Sequence, residues 1–185
     1  MKKIAIILLN LTILSAAFGQ NINNLDEKNG FKDFTLGDNF SKWKDELTSE
    51  KKYDDGTKTC LYTGECCQKV FNYSVDKIIL RFDSEKLVGI YITTEKFQKE
   101  YSVSGKYTTW RADDFQRINF SFSNLFGKVT LIENNDKGGE ITYIWKGKKT
   151  MLLSTYEYLG IQNGDRQQIV IVDMSFLEKE LQSGF

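Results

Sequence analysis

The chain has 185 residues, with 25 Lys and Arg against 25 Asp and Glu, and contains neither histidine nor proline. Balanced, interspersed charge excludes the clustered basic face of a nucleic-acid binder. The lack of histidine excludes Ser-His-Asp and Cys-His catalysis and every His-based zinc site, and the lack of proline leaves turns to Gly, Asn and Asp.

Residues 1–19 predict an export leader. Lys2 and Lys3 precede an apolar run, Ile4 to Phe18, broken only by Asn10, Thr12 and Ser15. Ala17-Phe18-Gly19 then sets small residues on either side of Phe18, before Gln20, as a cleavage site requires. A bilayer-spanning helix needs about 20 apolar residues. The run is shorter, so the expectation is an exported chain, periplasmic or secreted, with no stable membrane anchor once the leader is removed. The remaining residues, 20–185, suffice for one domain or two small packed subdomains.

Residues 20–30 are polar and Asn-rich and predict a disordered N-terminal segment. A first unit is expected over 31–95. In it Phe34 to Gly37 forms a short strand and turn, and Asp38 or Asn39 caps a helix. Phe40, Trp43 and Leu47 fall at i, i+3 and i+7 on one helical face, with Lys42, Lys44, Asp45 and Glu46 opposite. After a polar loop over 50–56, strands are expected at 59–62, about 70–75, 78–82 and 87–94, with Asp83-Ser84-Glu85-Lys86 as a hairpin turn.

Residues 96–110 form a connector to a second unit over 111–185. Asp113 or Asp114 caps a helix whose Phe115, Ile118, Phe122, Leu125 and Phe126 make an apolar stripe, and Gly127 closes it. Strands follow at 140–146, 150–159 and 168–173. The last, with Ile169-Val170-Ile171-Val172, is nearly continuously apolar, as a central position requires. A terminal helix over 175–182 points Phe176, Leu177 and Leu181 inward. The expected fold class is α+β: two tandem units, each one helix followed by an antiparallel sheet of about three strands.

Phe34-x-Leu36-Gly37 before a capped helix, Phe126-Gly127-Lys128, Trp145-Lys146-Gly147-Lys148 and the late Ile-Val-Ile-Val strand together resemble a group of small exported bacterial proteins. These are similar in layout to the tandem helix-plus-sheet modules of β-lactamase-inhibitor-protein-like folds and to the single module of the SmpA/OmlA lipoprotein family. The resemblance covers residues 31–181 and implies the fold. The lipid-attachment Cys of the lipoproteins is absent, and no inhibitory loop residue carries over.

Cys60, Cys66 and Cys67 are the disulfide candidates. In an oxidising compartment, Cys60 bridged to Cys66 or Cys67 would staple a strand to the following turn, leaving one odd thiol. Neither redox catalysis nor a zinc site is expected, because the C-x-x-C spacing and a fourth ligand are lacking. Glu133 to Glu140 gathers oxygen ligands but misplaces the acids and glycines of a calcium loop, so it reads as a hairpin turn, as does Asp54-Asp55-Gly56. The glycosylation-like triplets at Asn39, Asn72 and Asn119 are read as chance.

Most aromatics, Trp43 and Trp145 among them, belong to the core. Tyr101, Tyr107 and Trp110 in the connector, and Phe120 off the main helical stripe, are the candidate interaction surface. No catalytic residue, metal ligand or cofactor is assigned. The expected function is a non-enzymatic exported interaction module for an unknown protein partner or small ligand, without nucleic acid. The alternatives are a carrier with an apolar cavity and a carboxylate-based hydrolase.

Overall fold

Apolar residues at alternate and often consecutive positions over 73–94 and 150–173 build one continuous antiparallel sheet. The computed structural model describes residues 22–95, 111–135, 140–158 and 165–183. Chain order begins with α1 (Asn23–Lys28), the two-stranded ribbon of β1 (Gly30–Phe31) and β2 (Phe34–Thr35), α2 (Phe40–Trp43) and a 3-10 turn at Lys44–Glu46. It continues with β3 (Leu47–Lys52), β4 (Thr57–Tyr62), β5 (Lys69–Val70), β6 (Tyr73–Asp83) and β7 (Lys86–Thr94). Then come α3 (Arg111–Phe126), β8 (Leu131–Asn135), β9 (Glu140–Lys146), β10 (Thr150–Tyr158), β11 (Asp165–Asp173) and α4 (Met174–Ser183).

The strand order is β3-β4-β6-β7-β11-β10-β9-β8, with β5 paired to β6 off this path. Two separate three-stranded units are therefore not formed. The reason lies in β11, which pairs on both sides: Leu152 lies opposite Ile171 on one edge, and Ile90 lies opposite Ile171 on the other. A strand with apolar residues at consecutive positions suits the interior of a sheet, where a neighbour on each edge satisfies its backbone. Its pairing with β7 fuses the sheet segments of the two halves into one.

One face of this sheet carries the core. Ile78, Leu80, Phe82, Leu87, Ile92, Trp145, Leu152, Ile169 and Ile171 are buried there. Helix α3 lies on that face with Ile118, Phe122 and Phe126 in the same core and Phe122 against Trp145 at 5.7 Å. The Trp145 indole N–H donates to the Gly127 carbonyl at 3.0 Å, so the end of α3 is fastened to β9. Helix α3 starts at Arg111, two residues before the earlier of its two expected caps, which puts Asp114 in its first turn. A carboxylate there suits the positive end of the helix dipole.

Two local expectations give way to tertiary contacts. Helix α2 is a single turn, and Leu47 belongs to β3 rather than to the helical stripe. Trp43 instead packs on Phe34 at 4.6 Å, within a ring cluster that includes Tyr62. Residues 23–28, expected to be disordered, form α1 with Leu25 fully buried. The Asp26 carboxylate accepts from the backbone N–H groups of Lys148, Lys149 and Thr150, each within 2.9 Å, which ties α1 to the β9–β10 turn.

Candidate functional site

Among the described residues, only α4 covers the second face of the sheet, and only in part. Side chains alternate across a strand, and directly paired residues share a face. The registers therefore place Leu61, Ile79, Tyr91, Val170, Leu153 and Ile144 in one row across β4, β6, β7, β11, β10 and β9. All six are half-buried, and the row ends in β8 at Leu131, which is 50% exposed. At the inter-strand spacing of antiparallel sheets the row runs about 28 Å.

A polar row lies on one side of this strip. Lys77, Thr93, Gln168, Thr155 and Thr142 follow one another through the same registers, and the Thr142 and Thr155 hydroxyls are hydrogen-bonded at 2.9 Å. Beyond it Glu157 accepts from Arg166 at 2.5 Å and from Gln168 at 3.0 Å. These contacts, Arg166 first, hold the Glu157 carboxyl below its ordinary value against a smaller opposing effect of burial.

On the other side, α4 crosses the face. Arg81 donates to Glu180 at 2.5 Å and to Asp55 at 3.1 Å, and its guanidinium lies 4.8 Å from the Phe176 ring centre. Lys179 adds a bond to Asp83 at 2.8 Å. Val172 and Phe176 are buried beneath this strap. An apolar strip bordered by polar groups has the anatomy of a docking surface.

Sequence reasoning expected an exposed sheet face with clustered aromatics but did not assign these residues, although a signal for them was present. Ile78-Ile79-Leu80, Ile90-Tyr91-Ile92, Leu152-Leu153 and Ile169 to Val172 are apolar at consecutive positions, so both faces of the sheet carry apolar side chains. The aromatics are unevenly divided. Tyr143, Trp145, Tyr156 and Phe115 belong to the helix-covered side, where Phe115 meets Tyr143 at 5.3 Å and Tyr156 at 5.5 Å. Tyr91 is the aromatic of the open row.

Of the four residues expected to form an interaction surface, Tyr101, Tyr107 and Trp110 lie outside the described residues. Phe120 is 68% exposed on the outer side of α3, beside Gln116, Arg117 and Ser121. It thus faces away from the sheet.

The cysteines form a different arrangement from the expected staple. Cys66 is bridged to its neighbour Cys67, while Cys60 is an unpaired, buried thiol in β4. Cys60 lies opposite Leu80 on the core face, so its side chain points into the core beneath the strand rather than along the loop. Burial pushes its thiol above the ordinary value.

The bridged pair borders a shallow acidic cleft lined by Asp33, Trp43, Glu46, Tyr62, Gly64, Glu65 and Cys66. The Tyr62 hydroxyl lies 2.5 Å from Glu46 Oε2 and 3.0 Å from Cys66 Sγ. A β-carbon at Gly64 would collide with both Glu46 and the Tyr62 hydroxyl, so this close approach requires glycine. Burial, the hydrogen bond to Glu46 and that group's charge push the Tyr62 phenol up to about 12.

The remaining motifs are turns. Asp55 accepts from the Thr57 N–H at 2.8 Å and from its hydroxyl at 2.7 Å, ahead of β4. Strands β8 and β9 pair antiparallel from Asn135 opposite Glu140, and residues 136–139, on which the expected turn falls, lie outside the described residues. Asn119 is buried and accepts from Ser154, which is no place for a glycan. No helix among the described residues is long and apolar enough to cross a membrane.

No family model matches the chain, and no curated protein matches it. Among solved structures, it is similar to a cysteine-rich secretory protein of Staphylococcus aureus, with 14% identity and a TM-score of 0.37. The match covers 77% of this chain and 44% of that protein, so the chain spans less than half of that protein's length.

Proposed function

We propose that the chain is an exported, non-enzymatic interaction module that docks a protein partner on the open face of its sheet. The observation that carries this reading is the half-buried apolar row from Leu61 through Ile144 to the exposed Leu131. Its breadth exceeds what scattered surface hydrophobics need, and contiguous apolar surface with a polar margin favours a partner with a matching apolar strip. The leader pattern of residues 1–19 supports export. The absence of histidine from the sequence supports a binding role over acid–base catalysis.

The test compares three forms of the exported protein by cross-linking and affinity capture: wild type, Ile144→Lys on the open face and Phe120→Ser on α3. A protein bound by wild type and by Phe120→Ser, and lost by Ile144→Lys, supports the reading. Retention by Ile144→Lys, or equal loss in both variants, overturns it. Native mass spectrometry of the same preparations supports a carrier instead if a small apolar ligand travels with the chain.

A further inference from the structure

We propose that Cys66, Cys67 and Asp33 form a redox-gated site for one divalent cation of the zinc class, available only when the vicinal disulfide is reduced. The ligand atoms of the three residues lie within 4.8 Å of one another. Asp33 comes from the two-residue turn between β1 and β2, where Phe31 pairs with Phe34. No spacing in the sequence links it to the cysteines. Adjacent thiolates plus one carboxylate supply three positions of a four-coordinate site, and water supplies the fourth, as in open zinc centres.

The surroundings favour a cation. Asp33, Glu46 and Glu65 line the cleft, and among the described residues no ion pair neutralises any of the three. Lys28 and Lys42 contact this turn through the backbone carbonyls of Lys32 at 3.3 Å and Asp33 at 3.4 Å, and Lys42 commits its charge to Asp38 at 2.8 Å. Cys66 is half-buried and faces the cleft, while Cys67 is buried with φ at +71°, a conformation that L-residues hold only when their surroundings enforce it. The Tyr62 oxygen lies 3.0 Å from Cys66 Sγ and fixes one wall of the cleft, its single proton going to Glu46.

The chemistry balances in two steps. A dithiol reductant of the thioredoxin class delivers two electrons and two protons to the Cys66–Cys67 bond and is left as its own disulfide. The cation then displaces the two thiol protons, binding both sulfurs and one Asp33 oxygen. Reoxidation by a protein disulfide removes both thiolates and releases the ion, with two electrons passing to that oxidant.

The experiment titrates zinc alone, against a chromophoric chelator and without oxygen, into full-length protein reduced by a phosphine that is then removed. One zinc per chain is expected for the reduced protein and for Cys60→Ser. Cys66→Ser and Cys67→Ser should lose it, and Asp33→Asn should weaken it roughly tenfold or more. The disulfide form should bind at least about tenfold more weakly than the dithiol. The proposal is overturned if the reduced protein takes no zinc, if the disulfide form binds equally well, or if Asp33→Asn leaves the affinity unchanged. Asp33 is an exposed turn residue, and matching far-ultraviolet spectra of the Asn variant and wild type separate lost ligation from lost folding.

Discussion

The carboxylate of Asp26 occupies the space that a side chain at Gly147 would fill: a β-carbon built there collides with Asp26 Oδ1 and also approaches the Thr150 carbonyl at 3.0 Å. Helix α1 and the β9–β10 turn are thus shaped to each other. The three backbone N–H groups at residues 148–150 have their acceptor only because position 147 carries no side chain.

Gly147→Ala should therefore destabilise the fold, and Asp26→Asn should cost about 1–3 kcal/mol at neutral pH, since a charged acceptor of three donors is weakened. Urea melts of both single variants and the double variant measure the coupling. The Gly147→Ala penalty should shrink when Asp26 is cut back to Ala.

The same carboxylate sets an acid limit. Partial burial raises the Asp26 pKa, but the N–H groups of Lys149, Lys148 and Thr150 outweigh it and hold the group below 3.8. A depressed carboxylate contributes stability that is fully present above its unfolded value and lost as the pH falls through the folded one. The stability gap between wild type and Asp26→Asn should hold down to about pH 5 and narrow progressively below pH 4. Chemical melts at stepped pH measure it.

Tyr62 sets an alkaline limit of opposite sign. Its phenol is raised from 10.0 to about 12, so the protonated form is the one the fold favours. Its contribution is complete below pH 10 and is lost as the pH rises toward 12. In an ultraviolet titration, wild type should show a late step to which Tyr62 contributes, beside Tyr73, which burial and its bond to Asp114 also raise, and Tyr62→Phe should reduce that step by one tyrosine. An unchanged titration curve in Tyr62→Phe would refute this assignment.

Leu152 and Leu153 are chain neighbours on opposite faces of β10, one fully buried and the other half-buried. Leu152→Ala should cost about 2–5 kcal/mol, the range for a buried core leucine. Leu153→Ala should cost clearly less, because its side chain already meets water in the folded state. Equal losses in thermal and chemical melts would mean that the second face is as tightly packed as the first.

Arg81 holds α4 over the upper end of the open face. Arg81→Ala should loosen the terminal helix and raise amide exchange over residues 174–183 more than over β6. Arg81→Lys should not restore protection. Both guanidinium terminal nitrogens reach Glu180 while one also reaches Asp55, a fork that a single ammonium cannot reproduce.

How far the sequence disclosed this architecture depended on whether the signal was local. The stripe of Phe115, Ile118, Phe122 and Phe126 marked α3, and the unbroken Ile169 to Val172 run marked a central strand. What β11 pairs with was not legible, because a strand carries no tag naming its neighbours. The halves consequently read as two units, and it is the β7–β11 registers that join their strands into one sheet. Helix α1 was hidden because its one core residue, Leu25, sits among polar residues whose role is to bond distant backbone. Leu47 continued the spacing of Phe40 and Trp43 by coincidence, and pairing with Tyr62 drew it into a strand. The cysteine cleft was half legible: the thiols were visible as a cluster, but Asp33 and Glu46 reach it only through folding.

The β7–β11 seam also imposes an order of events. Residues 89–93 remain an unfinished edge until residues 168–172 arrive, so the sheet cannot be completed until nearly the whole polypeptide has been delivered. Such distant partners make for slow closure. In the interval the unpaired edge of β7 is open to pairing with the wrong strand.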